Sequence, residues 1–124
     1  MPTILIVDDS LTFREMVSEH LRHGGFTVVQ AVDGEDAIAK MQANRPDLVV
    51  TDIVMPRKNG YELTRWIKNE PGFKAIPVIM CTTKSEEFDV YWGMKQGADA
   101  YLTKPYHPED LLAAVRRLLK VKPR

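Results

Sequence analysis

The sequence is short of the features that would assign it quickly. It has one cysteine, Cys81, so no disulfide framework can staple the chain, as in proteins of a reducing compartment. Cys81 lies inside an apolar run and reads as a small core residue rather than a reactive thiol. No apolar stretch reaches the length of a membrane span, and the N-terminus opens a strand rather than a signal peptide. A cytoplasmic protein without a membrane partner is the expectation. Charge of one sign is missing too: 17 Lys and Arg face 17 Asp and Glu. Such a balance offers no global field for nucleic acid. The basic residues at the end, Arg116, Arg117, Lys120, Lys122 and Arg124, read as a solvated helix terminus that complements its dipole. Chemical signatures are absent as well. There is no G-x-x-x-x-G-K-[S/T] loop to cradle a nucleotide and no G-x-S-x-G elbow for a hydrolase serine. His20 has no second ligand at helical spacing, which makes it a packed histidine rather than a metal site.

What is present is a regular alternation. Thr3–Val7, Phe26–Val32, Leu48–Thr51, Val78–Cys81 and Ala100–Thr103 are short apolar or β-branched runs bounded by turn residues, and read as strands. Between them lie helical spacings: Phe13, Met16, Val17 and Leu21; Ala37, Ile38 and Met41; Leu63, Trp66 and Ile67. A fourth helix is expected from Ser85-Glu86-Glu87 through Met94, and a last one from Pro108, with Leu111, Val115, Leu118 and Leu119 inward. Ser10 is the expected cap of the first helix, and Asp33-Gly34 reads as a turn. Its 124 residues suit one domain, 1–124, with a real core. Five strands alternating with five helices predict an α/β fold, a doubly wound parallel sheet with helices on both faces. Periodicity does not give the strand order.

The polar residues carry the functional signal. Asp8 and Asp9 follow the first strand, Asp52 the third, Thr82 the fourth and Lys104 the fifth. In a parallel sheet these ends share one edge, where open α/β sheets bind ligands. One acid closing a strand is ordinarily a turn former; five such residues from four segments converge. Three neighbouring carboxylates repel unless they take up protons or a cation. The hard oxygen set suits Mg²⁺ or Mn²⁺ better than Zn²⁺. Lys104 adds a positive charge and Thr82 a hydroxyl, a combination suited to stabilising a phosphoryl group. Asp52 is then a metal ligand or a nucleophile forming an acyl phosphate. A phosphatase of the haloacid-dehalogenase kind carries a second acid two residues after its nucleophile, where this chain has Val54.

With Asp8-Asp9, Asp52-Ile53-Val54-Met55-Pro56, Gly60, Thr82, Tyr101 and Lys104-Pro105 in this order, the chain resembles the receiver domain of two-component response regulators over nearly its whole length. The resemblance implies the flavodoxin-like (βα)5 strand order 2-1-3-4-5. It implies that Asp52 is the phosphoacceptor for a sensor histidine kinase, and that Asp8 (through water), Asp9, Asp52 and the main-chain carbonyl of Val54 hold Mg²⁺. Lys104 would pair with the phosphate, Thr82 would swing to bond it, and Tyr101 would turn into the space Thr82 leaves. A cis Lys104-Pro105 bond is implied as well. Such a domain catalyses only its own phosphorylation and dephosphorylation, as a monomer or a phosphorylation-dependent dimer. Its downstream protein target would meet the face formed by the fourth helix, the fifth strand and the last helix. There Phe88, Val90, Tyr91, Trp92 and Met94 are more apolar residues than one core face needs. The stretches Thr51–Arg57 and Tyr91–Asp99 look like regulators of the type IV pilus and phototaxis kind.

Some positions depart from the family pattern. Thr83 stands where Ala or Gly is usual and is expected to crowd the phosphate, and Lys58 stands in a loop position usually Met or Leu. Val54 and Lys84, each two residues past a site residue, occupy the positions that set phosphate lifetime in the family. An apolar Val54 cannot orient an attacking water. Two other readings stand beside the switch: a receiver cut from a longer regulator with its own output domain, and a small Mg²⁺-dependent phosphatase.

Overall fold

The computed structural model describes residues 1–121 of the chain. Lys122 and Arg124 of the basic end lie outside the described residues. The elements run β1 (Thr3–Val7), α1 (Leu11–His23), β2 (Thr27–Ala31), α2 (Gly34–Ala43), β3 (Leu48–Thr51), α3 (Gly60–Asn69), β4 (Val78–Thr82), α4 (Glu87–Gln96), β5 (Ala100–Thr103) and α5 (Pro108–Leu119). All neighbouring strands pair in parallel, in the order β2-β1-β3-β4-β5.

β1, β3 and β4 are buried on both sides, which is why their sequences are apolar runs rather than alternations. Their side chains still divide by parity. Ile4, Ile6, Leu48, Val50, Ile79 and Cys81 pack with Val17 and Leu21 of α1 and Leu111 and Val115 of α5. Leu5, Val7, Val49 and Val78 pack with Ala37 and Met41 of α2 and Leu63 and Ile67 of α3. A third cluster, Ile53, Met80 and Ala98 with Tyr61 and Tyr101, lies beneath α4. Burial pushes the Cys81 thiol up to about 12, as suits an inert core residue. Among the described residues no helix is long and apolar enough to cross a membrane.

Several boundaries differ from the sequence reading, for local reasons. β2 is shorter at both ends than Phe26–Val32, and β4 extends through Thr82. Asp33 is the N-cap of α2 rather than part of a free turn; its side chain accepts from the Asp36 amide. Within Ser85-Glu86-Glu87 the N-cap of α4 is Glu86, whose backbone amide donates to Asp89 Oδ2 at 3.2 Å. Met16 is exposed although its spacing placed it inward. Elsewhere on α1 the polar Ser18 is buried, and its hydroxyl accepts from Gln30 Nε2. Ser10 caps α1 as expected, accepting from the Phe13 amide at 3.2 Å.

Candidate functional site at the carboxyl edge of the sheet

The strand order reverses between β1 and β3, and the residues beyond those two strands flank that switch point. Sheet hydrogen bonding continues into the site. Asp8 N donates to the Ala31 carbonyl (3.2 Å), Asp52 N to that of Val7 (2.9 Å) and Lys104 N to that of Thr82 (2.8 Å). Backbone pairing thus fixes where all three side chains begin.

Lys104 Nζ joins the two acids, 2.9 Å from Asp8 Oδ2 and 3.0 Å from Asp52 Oδ2. The remaining oxygen of each carboxylate takes a backbone amide: Asp8 Oδ1 from Ser10 N at 2.8 Å, Asp52 Oδ1 from Ile53 N at 2.6 Å. Both carboxylates are therefore oriented by the chain on one oxygen and by the ammonium on the other. The Asp8 side chain is only 2% exposed, against 13% for Asp52 and 15% for Lys104. Burial raises the Asp8 pKa, outweighing the Lys104 and Ser10 hydrogen bonds that lower it. For Lys104 burial acts downward, but hydrogen bonds and charge from Asp8 and Asp52 prevail and raise it. Asp52 is the more exposed of the two carboxylates.

Two contacts here had no signature in the sequence. The Phe13 ring lies under Lys104, with Nζ 3.6 Å from its centroid, so the ammonium is held from a third side by a cation–π contact. Arg14 Nη1 donates to the Asp8 carbonyl at 2.8 Å and ties the turn after β1 to α1. Phe13→Leu keeps an apolar side chain but removes the π face. It should lower stability by about 1 kcal/mol in urea unfolding, and Phe13→Tyr should restore it. Equal stability of the Leu and Phe forms would show that the ring does not hold the lysine.

The other expected residues are placed less uniformly. Thr82 is fully buried, and its hydroxyl accepts from the Lys84 amide at 3.4 Å. Tyr101 is half-buried against Met80 and Ile53, and its hydroxyl donates to the Lys84 carbonyl at 2.6 Å. Thr82 and Tyr101 thus hold opposite sides of one peptide stretch. Burial raises the Tyr101 pKa. Asp9 and Val54 are both exposed beside the pair. Among the described residues no three His, Cys, Asp or Glu side chains are gathered to hold a metal; the observed cluster is two acids and a lysine. The donor chemistry nevertheless fits a hard divalent ion: carboxylate oxygens, a third exposed carboxylate next in sequence, and no imidazole or thiolate in the cluster. Lys104-Pro105 is cis. Thr83 is exposed and lines an open apolar groove with Phe13, Met16, His20, Lys104 and Tyr106. His20 packs edge-on against Tyr106, as a structural histidine.

Fold and site together define a doubly wound α/β protein with an acid–lysine cluster at its topological switch point. Residues 4–116 match the model of the response regulator receiver domain, and the chain belongs to that family. It is 44% identical to Protein PilH of Pseudomonas aeruginosa, over 96% of this chain and 98% of that protein. It is 42% identical to Protein PilG of the same organism, over 91% and 84%. Among solved structures, the chemotaxis protein CheY4 of Vibrio cholerae superposes with a TM-score of 0.89 at 36% identity, covering 95% of this chain and 98% of that one.

Proposed function

We propose that residues 1–124 form a single receiver unit that acts as a phosphorylation switch, with Asp52 as acceptor. The observation that carries this reading is the bridge of Lys104 Nζ to both Asp8 and Asp52 at the sheet edge. An Asp52 oxygen attacks the phosphorus of a phosphohistidine on a sensor kinase. The new P–O bond forms as the P–N bond breaks, and the imidazole leaves with its ring nitrogen free to take a proton. Asp8, Asp9, Asp52 and the Val54 carbonyl would hold Mg²⁺, or Mn²⁺ in its place; when bound, the ion offsets charge on the transferring phosphoryl group. Lys104 is positioned to exchange its Asp52 contact for a phosphoryl oxygen. Hydrogen bonds and charge from Asp8 and Asp52 favour its charged form. The Thr82 hydroxyl lies at the end of β4 and would turn from Lys84 to the phosphate. That movement loosens the stretch on which Tyr101 is anchored, giving a local route from new charge to α4.

The receiving face would be α4–β5–α5. α4 buries only Gly93 and leaves Phe88, Tyr91, Trp92 and Met94 exposed. Phe88 and Trp92 stack, with centroids 6.3 Å apart. Exposed aromatics and Met of this kind suit a protein partner. The likeness to PilG and PilH supports a regulator of the pilus kind, in keeping with the Tyr91–Asp99 stretch.

Incubation with Mg²⁺ and acetyl phosphate tests the reading. Stoichiometric labelling that chelation prevents is the expected result; sustained turnover of phosphoesters would make the protein a phosphatase instead. Val54 bears on lifetime. Its exposed apolar side chain offers no hydrogen bond to an attacking water, so the acyl phosphate should persist well beyond seconds. Val54→Asn should shorten it, measured as loss of label after removal of the donor. A wild-type lifetime of seconds would contradict this.

A further inference from the structure

A second polar cluster, away from the reacting atoms, governs the loop that follows Asp52. Arg57 has φ 65°, in the left-handed region that a non-glycine residue seldom occupies. Its guanidinium donates through Nε and also pairs through Nη2 with a single oxygen, Asp33 Oδ2. Asp33 is 2% exposed, and its other oxygen caps α2 by accepting from Asp36 N at 2.8 Å. The Asp36 amide and, after burial is overcome, the Arg57 guanidinium hold the Asp33 carboxyl below its ordinary pKa. Next to this pair Gly34 N donates to the Lys58 carbonyl at 3.0 Å. A side chain at Gly34 would strike that carbonyl, so only glycine permits the approach. The base of the loop is closed by Gly60 N donating to the Ile53 carbonyl at 2.8 Å.

The loop is therefore fastened at its base by Gly60 and at its tip by α2. The span between the fastenings contains Val54. The Arg57 side chain is 57% exposed, but its partner carboxylate is withdrawn from water and its own backbone occupies an unfavourable region. The left-handed turn aims the guanidinium at Asp33, and the buried charge of Asp33 holds the turn in place.

We propose that the Arg57–Asp33 pair is a latch that positions the Ile53–Met55 backbone beside Asp52 and thereby sets divalent-ion affinity at the acceptor site. Arg57 is a positioning residue: it touches neither the ion nor the phosphoryl group. The inference rests on the reading of Asp52 as a metal-assisted phosphoacceptor. It also makes α2 a support of the acceptor loop.

The test uses the full chain. Arg57→Asn removes the guanidinium but tolerates positive φ, and Asp33→Asn keeps the helix cap without the charge. Arg57→Gly is a second variant that imposes no backbone cost at this φ. Mg²⁺ affinity is read by titration calorimetry, and the Mg²⁺ dependence of labelling by acetyl phosphate is read alongside. Each variant should weaken Mg²⁺ binding by about tenfold, with the labelling rate at saturating Mg²⁺ unchanged. The double variant Asp33→Asn, Arg57→Asn should be no weaker than either single one, because both break the same contact. Wild-type Mg²⁺ affinity in folded variants, whatever their unfolding midpoint, would overturn the latch. Failure of the unaltered chain to bind Mg²⁺ and label would overturn the acceptor reading itself.

Discussion

Asp52→Asn should abolish labelling by acetyl phosphate and by a phosphorylated kinase alike, and should leave the fold in place. The loss is complete rather than partial because an amide has no ionised oxygen with which to form the P–O bond. The fold survives because Asn keeps the shape of Asp and an oxygen that can accept from Ile53 N, the bond now made by Asp52 Oδ1. Lys104 retains Asp8 as its partner. The check is mass spectrometry for the added phosphoryl group together with a urea unfolding curve. Label that persists on a folded Asn variant would place the acceptor elsewhere, with Asp9 the next acid to test.

Lys104→Met should have the second large effect, on stability. It leaves Asp8 and Asp52 facing each other without the ammonium that joins them, in a site where Asp8 is almost wholly withdrawn from water. Breaking a buried pair by removing one partner costs about 3 kcal/mol or more. The partial exposure of Asp52 places this case at the lower end. The pH dependence follows from the directions of the shifts. Lys104 is raised, so its contribution is fully present below the unfolded lysine value, about 10.4, and is lost as pH rises through the folded one. Asp8 is raised as an acid, so its burial counts against the folded state at neutral pH, and this penalty disappears as the group protonates. The Met variant, with the counter-charge gone, should gain stability on acidification from neutral pH toward about 4. Wild type and variant should converge there and differ most at neutrality. Mg²⁺ should stabilise the variant more than the wild type, because the ion takes over the neutralising role without competing with an ammonium. A constant gap between the two curves across this pH range would show that the site acids do not interact through Lys104.

The sequence shows the parts of this site that sit on regular structure. Asp8, Asp52, Thr82 and Lys104 are legible because each ends or follows a strand, and a parallel sheet brings such ends to one edge. The order 2-1-3-4-5 was not legible from periodicity, which is blind to which strands pair; it came from the family resemblance and agrees with the observed sheet. Side-chain direction across tertiary contacts was the other blind spot. Phe13 read as one more apolar residue of α1, and only the packed structure turns its ring under Lys104. Arg57 stands in a loop with no periodic signal, and its partner Asp33 reads as a turn residue in sequence because helix capping and turn formation use the same side chain. Met16 shows the reverse error: helical spacing marks a face, but Met16 lies at its edge and lines the open groove with Phe13 and His20 instead of entering the core. On α4 the surplus of apolar residues was visible in sequence, and their exposure is what the structure added.

The most direct measurement is to transfer a radiolabelled phosphoryl group from an autophosphorylated sensor kinase to the full chain in Mg²⁺ and identify the modified residue by borohydride reduction and peptide mass spectrometry. One label per chain, on Asp52 and dependent on Mg²⁺, is the result expected for the switch proposed here. Label on another residue, or none from any kinase or from acetyl phosphate, would contradict it.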